Sequence, residues 1–390
     1  MNTKSLNSYG EISGGRGRRR HARAPAALFF VCALILPCPS PAEGSEDRPL
    51  LLAQPFAVRW QYETDRALHL TPAADEEMVF FPLAAGALVC LRIADGQLLW
   101  KEEGGGEFSA SPTADERGVY VATEVGKNSM PSPRGGALRA LGRKSGVTLW
   151  MRTLQSPIRG ALAAGEKALY GGAADGRVYA FSKESGQVLC VKQFKSPFAS
   201  HPVVYGGRLY IGAEDGMLYA LNPETGATLW RYRTRGSLRG PVAIAEGAVY
   251  FGSADQYVYA LRERDGHLRW RSRTGAEVQS VAYTPRGLLA ASLDNFVYCL
   301  STRDGERLWK RQLAGRIAAQ PLAAPDGALF APLAGDACVV LDLKDGKQLN
   351  SLPVGEGNNM AASPLASGRV LLVTTRRGLL AFAAPPPAPA

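Results

Sequence analysis

A six-residue unit returns along the chain: an acidic or small residue, glycine, two variable positions, a usually apolar residue, and tryptophan. It reads Asp95-Gly96-Gln97-Leu98-Leu99-Trp100 in its first full copy. It recurs from Ser145-Gly146 to Trp150, Thr225-Gly226 to Trp230, Asp265-Gly266 to Trp270 and Asp304-Gly305 to Trp309. Two copies end differently, Ser185-Gly186 at Cys190 and Asp345-Gly346 at Asn350. The glycines are separated by 50, 40, 40, 40, 39 and 41 residues. A period near 40 belongs either to stacked helical pairs or to sheet blades. The intervening residues decide for sheet, because they alternate and carry turn dipeptides without a sustained helical period.

One unit reads strand by strand. Pro202-Val203-Val204-Tyr205 is a first strand, stopped by Gly206-Gly207. Arg208 to Gly212 is a second, and Asp215-Gly216 turns the chain with both residues expected at positive φ. Met217 to Leu221 is a third, and Ala227 to Trp230 opens a fourth. The turn recurs as Asp175-Gly176, Asp255-Gln256 and Asp294-Asn295. A first-strand proline recurs at Pro112, Pro202, Pro241, Pro321 and Pro364, where a missing ladder donor costs least. Four such antiparallel strands make a blade. Past Asn350 the chain offers three strands and no fourth, while Ala57-Val58-Arg59-Trp60 is a fourth strand without its first three. The ends therefore complete one another. The expected fold is all-β: an eight-bladed β-propeller over residues 57–382, closed by pairing of the N- and C-terminal strands. Extra residues around Lys127 to Gly135 are expected to form a surface loop, and residues 383–390 a Pro/Ala-rich tail.

The N-terminus reads as an address. The cluster Arg16 to Arg23 precedes an apolar run, Ala26 to Leu36, and then Ser40-Pro41-Ala42. This is the order of a secretory signal peptide, so residues 1–42 are expected to be removed and 43–56 to serve as a linker. The run is shorter than the roughly 20 residues of a membrane span. Cys38 follows Leu36-Pro37, a poor site for lipid anchoring. Half of the formal charge of +10 lies in this leader, and no Lys/Arg block recurs in the mildly basic body, so nucleic acid is not an expected partner. Beyond the leader, Cys90, Cys190, Cys299 and Cys338 fall in strands of different blades, as small buried hydrophobes would. His21, His69, His201 and His267 show no metal-ligand spacing. No phosphate loop or nucleophile elbow is present.

The run Gly216 to Trp230, Gly-x-Leu-Tyr-Ala-Leu-x-x-x-Thr-Gly-x-x-Leu-Trp, resembles the repeat of the pyrroloquinoline-quinone-type propellers. The resemblance covers Val58 to Phe382. It implies that Trp60, Trp100, Trp150, Trp230, Trp270 and Trp309 dock between neighbouring blades. It also implies different packing at the blades of Cys190 and Asn350. For the dehydrogenase branch it implies a vicinal cysteine pair, a bound quinone and Ca²⁺; this chain has no adjacent cysteines and no long inserts. No enzyme, cofactor or metal is expected. In size and plainness the chain is similar to the propeller subunit of the outer-membrane β-barrel assembly machine. The resemblance thus implies a monomeric, non-catalytic periplasmic scaffold binding envelope proteins. A small-molecule or peptide-sensing propeller is the first alternative, and a quinone-dependent dehydrogenase the second.

First strands of a propeller are innermost, so their entries surround the central channel. Two residues before the strand proline, or its equivalent, stand Ala110, Arg159, Ser200, Arg239, Gln279, Ala319 and Ala362. His201, Gln320, Asn358 and Asn359 are neighbours. The expectation is a channel mouth where Arg159 and Arg239, with His201 and Gln279 beside them, receive an acidic segment or C-terminus of a partner.

Overall fold

The computed structural model describes residues 49–103, 105–124, 135–358, 360 and 362–385. The proposed leader 1–42, most of the Lys127 loop, Asn359 and residues 386–390 of the tail lie outside the described residues.

Eight sheets follow one another, six of four antiparallel strands and two, in blades 2 and 3, of five. In blade 3 the extra strand, Ala110–Ser111, pairs in parallel with Ile158–Ala164. Blade 4 is the plainest, with strands Val203–Tyr205, Arg208–Gly212, Met217–Leu221 and Thr228–Arg233 in sequential order. Blade 8 is made from both ends of the chain. Leu365–Ser367, Val370–Thr375 and Gly378–Ala383 supply three strands, and Ala57–Glu63 supplies the outermost. The closing register pairs Val58 with Phe382, Trp60 with Ala381 and Tyr62 with Leu379. Ring closure by the terminal strands is thus as the sequence implies.

Strand alternation sends successive side chains to opposite faces of each blade. Every blade therefore buries one face against its predecessor and one against its successor. Eight apolar clusters result, one per seam, from Trp60, Val79 and Leu372 between blades 8 and 1 round to Leu52, Val340 and Phe382 between blades 7 and 8.

The repeat unit works across these seams. The Trp230 indole N–H donates to the Glu263 carbonyl of blade 5 at 2.8 Å, and its ring lies against Gly266. A Cβ at Gly266 would stand 2.6 Å from the ring, and its φ is +71°, so glycine is required twice over. The other five tryptophans bond likewise to carbonyls of Ile93, Arg143, Lys183, Thr302 and Leu343 at 2.7–3.0 Å. Within blades 1, 2, 4 and 5 the indole meets an aromatic two strands inward, as Tyr210–Trp230 do at 5.8 Å. They meet across a small residue on the intervening strand, Cys90, Ala140, Ala220 or Ala260. Cys299 sits at the same place opposite Trp309. Burial pushes the thiols of Cys90, Cys299 and Cys338 up to about 12, so they act as inert apolar groups near neutral pH.

Two expectations are corrected in detail. In the Asp-Gly turns only the second residue has positive φ: Gly176, Gly216, Gln256 and Asn295 lie between +68° and +84°. The aspartate instead accepts the N–H two residues on, as Asp215 does from Met217 at 3.2 Å, while Gly216 N–H closes a turn on the Ala213 carbonyl. Secondly, the supposed linker is packed where it is described. Leu52 is wholly buried between blades 7 and 8. The Leu52 and Ala53 N–H groups donate to the Asp326 carboxylate at 2.9 and 2.8 Å. An apolar side chain and two backbone donors with partners at hand do not remain a free tether.

Candidate functional site

The residues that face the axis are those immediately before the first-strand proline or its equivalent. In blades 1, 2, 7 and 8 these are Thr71, Ser111, Gln320 and Ser363; in blades 3 to 6 they are Gly160, His201, Gly240 and Ser280. All eight line one cavity of about 250 Å³. A cavity touched by every blade of a closed ring lies on its axis.

The position one residue earlier mostly turns away. Ala110, Ser200 and Ala362 are at most 3% exposed and outside the cavity wall, because alternation points them into the sheets, while Ala319, also buried, touches the wall. Ser200 Oγ is tied to Gly212, accepting its N–H and donating to its carbonyl. Arg239 and Gln279 do reach the cavity wall, with His201. Arg159 is not among the wall residues; it reaches the Glu124 carboxylate of blade 2 at 2.6 Å. Arg239 is also engaged, by both Glu214 oxygens at 3.2 Å and by Glu277 at 3.8 Å. Gln279 donates to Glu277 at 3.1 Å. The two arginines are therefore separate ion pairs, not a shared cationic mouth. Asn358 is buried and structural, donating to the Val354 carbonyl and accepting the Arg377 N–H.

Sequence reasoning missed how the axial ring is held. The Gln320 N–H donates to Ser363 Oγ at 3.0 Å, Ser363 N–H to Thr71 Oγ1 at 3.1 Å, and Thr71 N–H to Ser111 Oγ at 3.2 Å. Blades 7, 8, 1 and 2 are thereby stitched by hydroxyls. In the other half the backbones themselves abut. A Cβ at Gly240 would fall 1.6 Å from the Gln279 carbonyl oxygen, so only glycine fits. His201 stands in this half. Its ring has no hydrogen-bond partner among the described residues, and burial lowers its pKa, so it is a neutral imidazole near pH 7.

A second cavity, of about 350 Å³, shares Thr71, Ser111, His201, Gln320 and Ser363 with the first. Its remaining wall is largely apolar: Pro72, Pro112, Pro321, Pro364, Leu322 and Leu365. The recurrent prolines thus have a second consequence beyond starting strands.

These residues do not fit a calcium-held quinone. Ca²⁺ takes six to eight oxygen ligands, several of them carboxylates. Neither cavity wall contains Asp or Glu. Among the described residues no three His, Cys, Asp or Glu side chains converge as a metal site.

Comparison with known proteins follows the architecture. A family model described as outer membrane protein assembly factor BamB matches residues 57–131, 134–283 and 214–387. The outer membrane protein assembly factor BamB of Shewanella oneidensis is 32% identical over 110 residues, 27% of this chain and 25% of that relative. The match therefore spans about a quarter of that relative's length. The crystal structure of BamB from Moraxella catarrhalis superposes with a TM-score of 0.70 at 15% identity, covering 84% of this chain and 99% of that one. A quinohemoprotein alcohol dehydrogenase from Pseudomonas putida HK5 gives 0.68 at 12% identity, covering 86% and 78%. At such identities the two solved structures speak to the fold alone. With the repeat, the eight blades and a family match running almost from end to end of the ring, the chain belongs to the BamB family of PQQ-type repeat propellers.

Proposed function

We propose that this chain is a non-catalytic, exported propeller that binds other proteins of the cell envelope, with outer-membrane protein assembly as its setting. Residues 1–42 serve as the export signal in this reading, and the released body works as a periplasmic monomer without a lipid anchor. Among the described residues no helix is long and apolar enough to cross a membrane.

The observation that carries the reading is on the outer rim. The residue after the repeat tryptophan is Lys101, Arg231, Arg271 and Lys310 in blades 1, 4, 5 and 6. Such charges on an outermost strand discourage strand addition. In blades 2 and 3 the position holds Met151 and Val191, exposed by 46% and 49%. Val147, Leu149, Val188 and Leu189 extend the apolar surface at 48–61% exposure. The two strands meet at the seam, where Arg152 donates to the carbonyls of Ser185 and Gly186. The outer strands of the other blades expose one or two large apolar residues each, such as Leu229 and Leu308, whereas blades 2 and 3 expose three each, side by side. Such a concentration suits protein contact more than solvation.

The test is to express Leu149→Asp/Leu189→Asp in place of the native chain. Both side chains are exposed, so the melting temperature should not change. Outer-membrane β-barrel protein levels should fall, and partners captured by the native chain from solubilised envelopes should be lost. Unchanged barrel levels with unchanged capture would overturn the reading.

A further inference from the structure

We propose that the proline-walled cavity on the propeller axis binds a carboxylate carried on an apolar body, the chemistry of a peptide C-terminus ending in an aliphatic residue or of a free aliphatic acid. The proposal stands apart from the rim surface and from the assembly role.

Each polar side chain of this cavity has a hydrogen to donate. The hydroxyl oxygens of Thr71, Ser111 and Ser363 each accept a backbone N–H from the neighbouring blade or strand entry. An oxygen so occupied has its own hydrogen left to give. Among the described residues nothing accepts that hydrogen from any of the three. The Gln320 side-chain amide has no protein partner among the described residues either, and its N–H₂ offers two more donors. The neutral imidazole of His201 contributes one ring N–H. These five side chains are the ones common to both axial cavities. A group that accepts hydrogen bonds therefore finds a donor on each of the five side chains, beside acceptors at the Gln320 side-chain carbonyl and one His201 nitrogen.

The wall decides the rest. No acidic side chain lines the cavity, and no cation does. Arg239, in the adjoining space, is held by Glu214 and Glu277 and brings no free positive charge. Preorganised neutral donors can hold one negative charge, as oxyanion-binding sites do. A phosphate dianion would need a cation as well, so one carboxylate is the fitting charge. Pro72, Pro112, Pro321 and Pro364, with Leu322 and Leu365, then offer apolar surface to whatever carries it. A volume of about 350 Å³ suits a ligand of one or two residues.

The experiment is calorimetric titration of the full chain with three compounds: N-acetyl-Ala-Leu, its C-terminal amide, and hexanoate. The expected result is saturable binding of the peptide acid and about tenfold weaker binding of the amide, the loss of one charge-assisted hydrogen bond. Gln320→Leu should weaken the acid by a similar factor, because it removes a donor and leaves the Gln320 backbone bond to Ser363 in place. Ala161→Phe, on the cavity wall, should abolish binding by filling the space while keeping every donor. Thermal melts of both variants establish that they are folded, and either one suffices. Tighter binding of the peptide acid than of hexanoate assigns the site to chain termini; the reverse assigns it to free acids. Equal binding of acid and amide, no binding of either acid at millimolar concentration, or native affinity in the folded variants would overturn the proposal.

Discussion

The seam between blades 3 and 4 and the seam between blades 7 and 8 both lack the indole that closes the other six. They lack it for different reasons. At Asn350 there is no receiving glycine, because the turn that would carry one is replaced by the two ends of the chain. The amide fits what is there instead, donating to the carbonyls of Leu52 and Gln54 at 3.2 and 2.7 Å. At Cys190 the receiving side is intact. Gly226 keeps its positive φ of +66°, Ala180 keeps the small position, and Tyr170 stands where Tyr210 stands under Trp230. Only the indole is missing. One departure from the repeat is thus answered by new contacts from the chain ends, while the other sets the Cys190 thiol and the Lys192 stem against Gly226 in an otherwise standard seam.

The largest effect should come from removing the closing strand itself. Deleting Ala57 to Glu63 strips blade 8 of its outer strand and the Trp60 indole from the seam with blade 1. Gly378–Ala383 then becomes an open edge, an invitation to intermolecular pairing. Size-exclusion chromatography should show aggregates and the thermal transition should broaden. A monodisperse variant with the native melting temperature would mean that the ring does not depend on its terminal strands.

A standard seam sets the scale for the exceptions. Trp230 is 8% exposed, so Trp230→Ala should cost about 3–5 kcal/mol in denaturant unfolding. A loss well under ~1 kcal/mol would place the seam energy elsewhere than in the indole. At the other exception, Asn350→Ala leaves two carbonyls without their donor and should cost about 1–3 kcal/mol. Restoring the repeat there should not help, since Asn350→Trp loses the same two bonds and meets chain where other blades offer glycine. A stabilised Asn350→Trp would show that Leu52 to Gln54 are not a latch.

Much of this was legible in the sequence because the period is written there. The Gly-x-x-apolar-Trp spacing fixes blade number, and the unmatched strands at the two ends fix closure. The axial site was legible only in outline. Prolines marked the strand entries, but which of two successive residues faces the axis depends on strand phase, and the residue before the proline proved to be the one. The recurring hydroxyls at Thr71, Ser111 and Ser363 were a signal available in the sequence for that choice. The partners of the arginines were not, because Glu124 and Glu214 come from other blades, 35 and 25 residues away from Arg159 and Arg239. Nothing local in either segment announces the pair.

The smallest expected effect is also the one that separates the two exceptions most cleanly. Cys190→Trp should stabilise the chain by about 1–2 kcal/mol, the gain from covering most of an indole that is buried in three of the six standard seams and partly buried in the other three. The indole N–H would find the Pro223 carbonyl, which holds the place that Glu263 and Thr302 hold for Trp230 and Trp270. Gly226 offers no Cβ to strike the ring. The side chain that must move is Lys192, whose Cβ lies 3.3 Å from where a Cβ on Gly226 would be; its flexible stem can swing to solvent. Overpacking by an inserted side chain costs roughly 1–3 kcal/mol where neighbours cannot yield, so the sign of the result reports whether this seam is vacant or already filled. The measurement is the urea midpoint at constant slope, with Cys190→Ala alongside. If the seam is vacant, the alanine variant changes little and the tryptophan variant gains. If both lose, the thiol and the Lys192 stem already make a packed closure of their own, and blade 3 is a second solution to the seam and not an unfinished first.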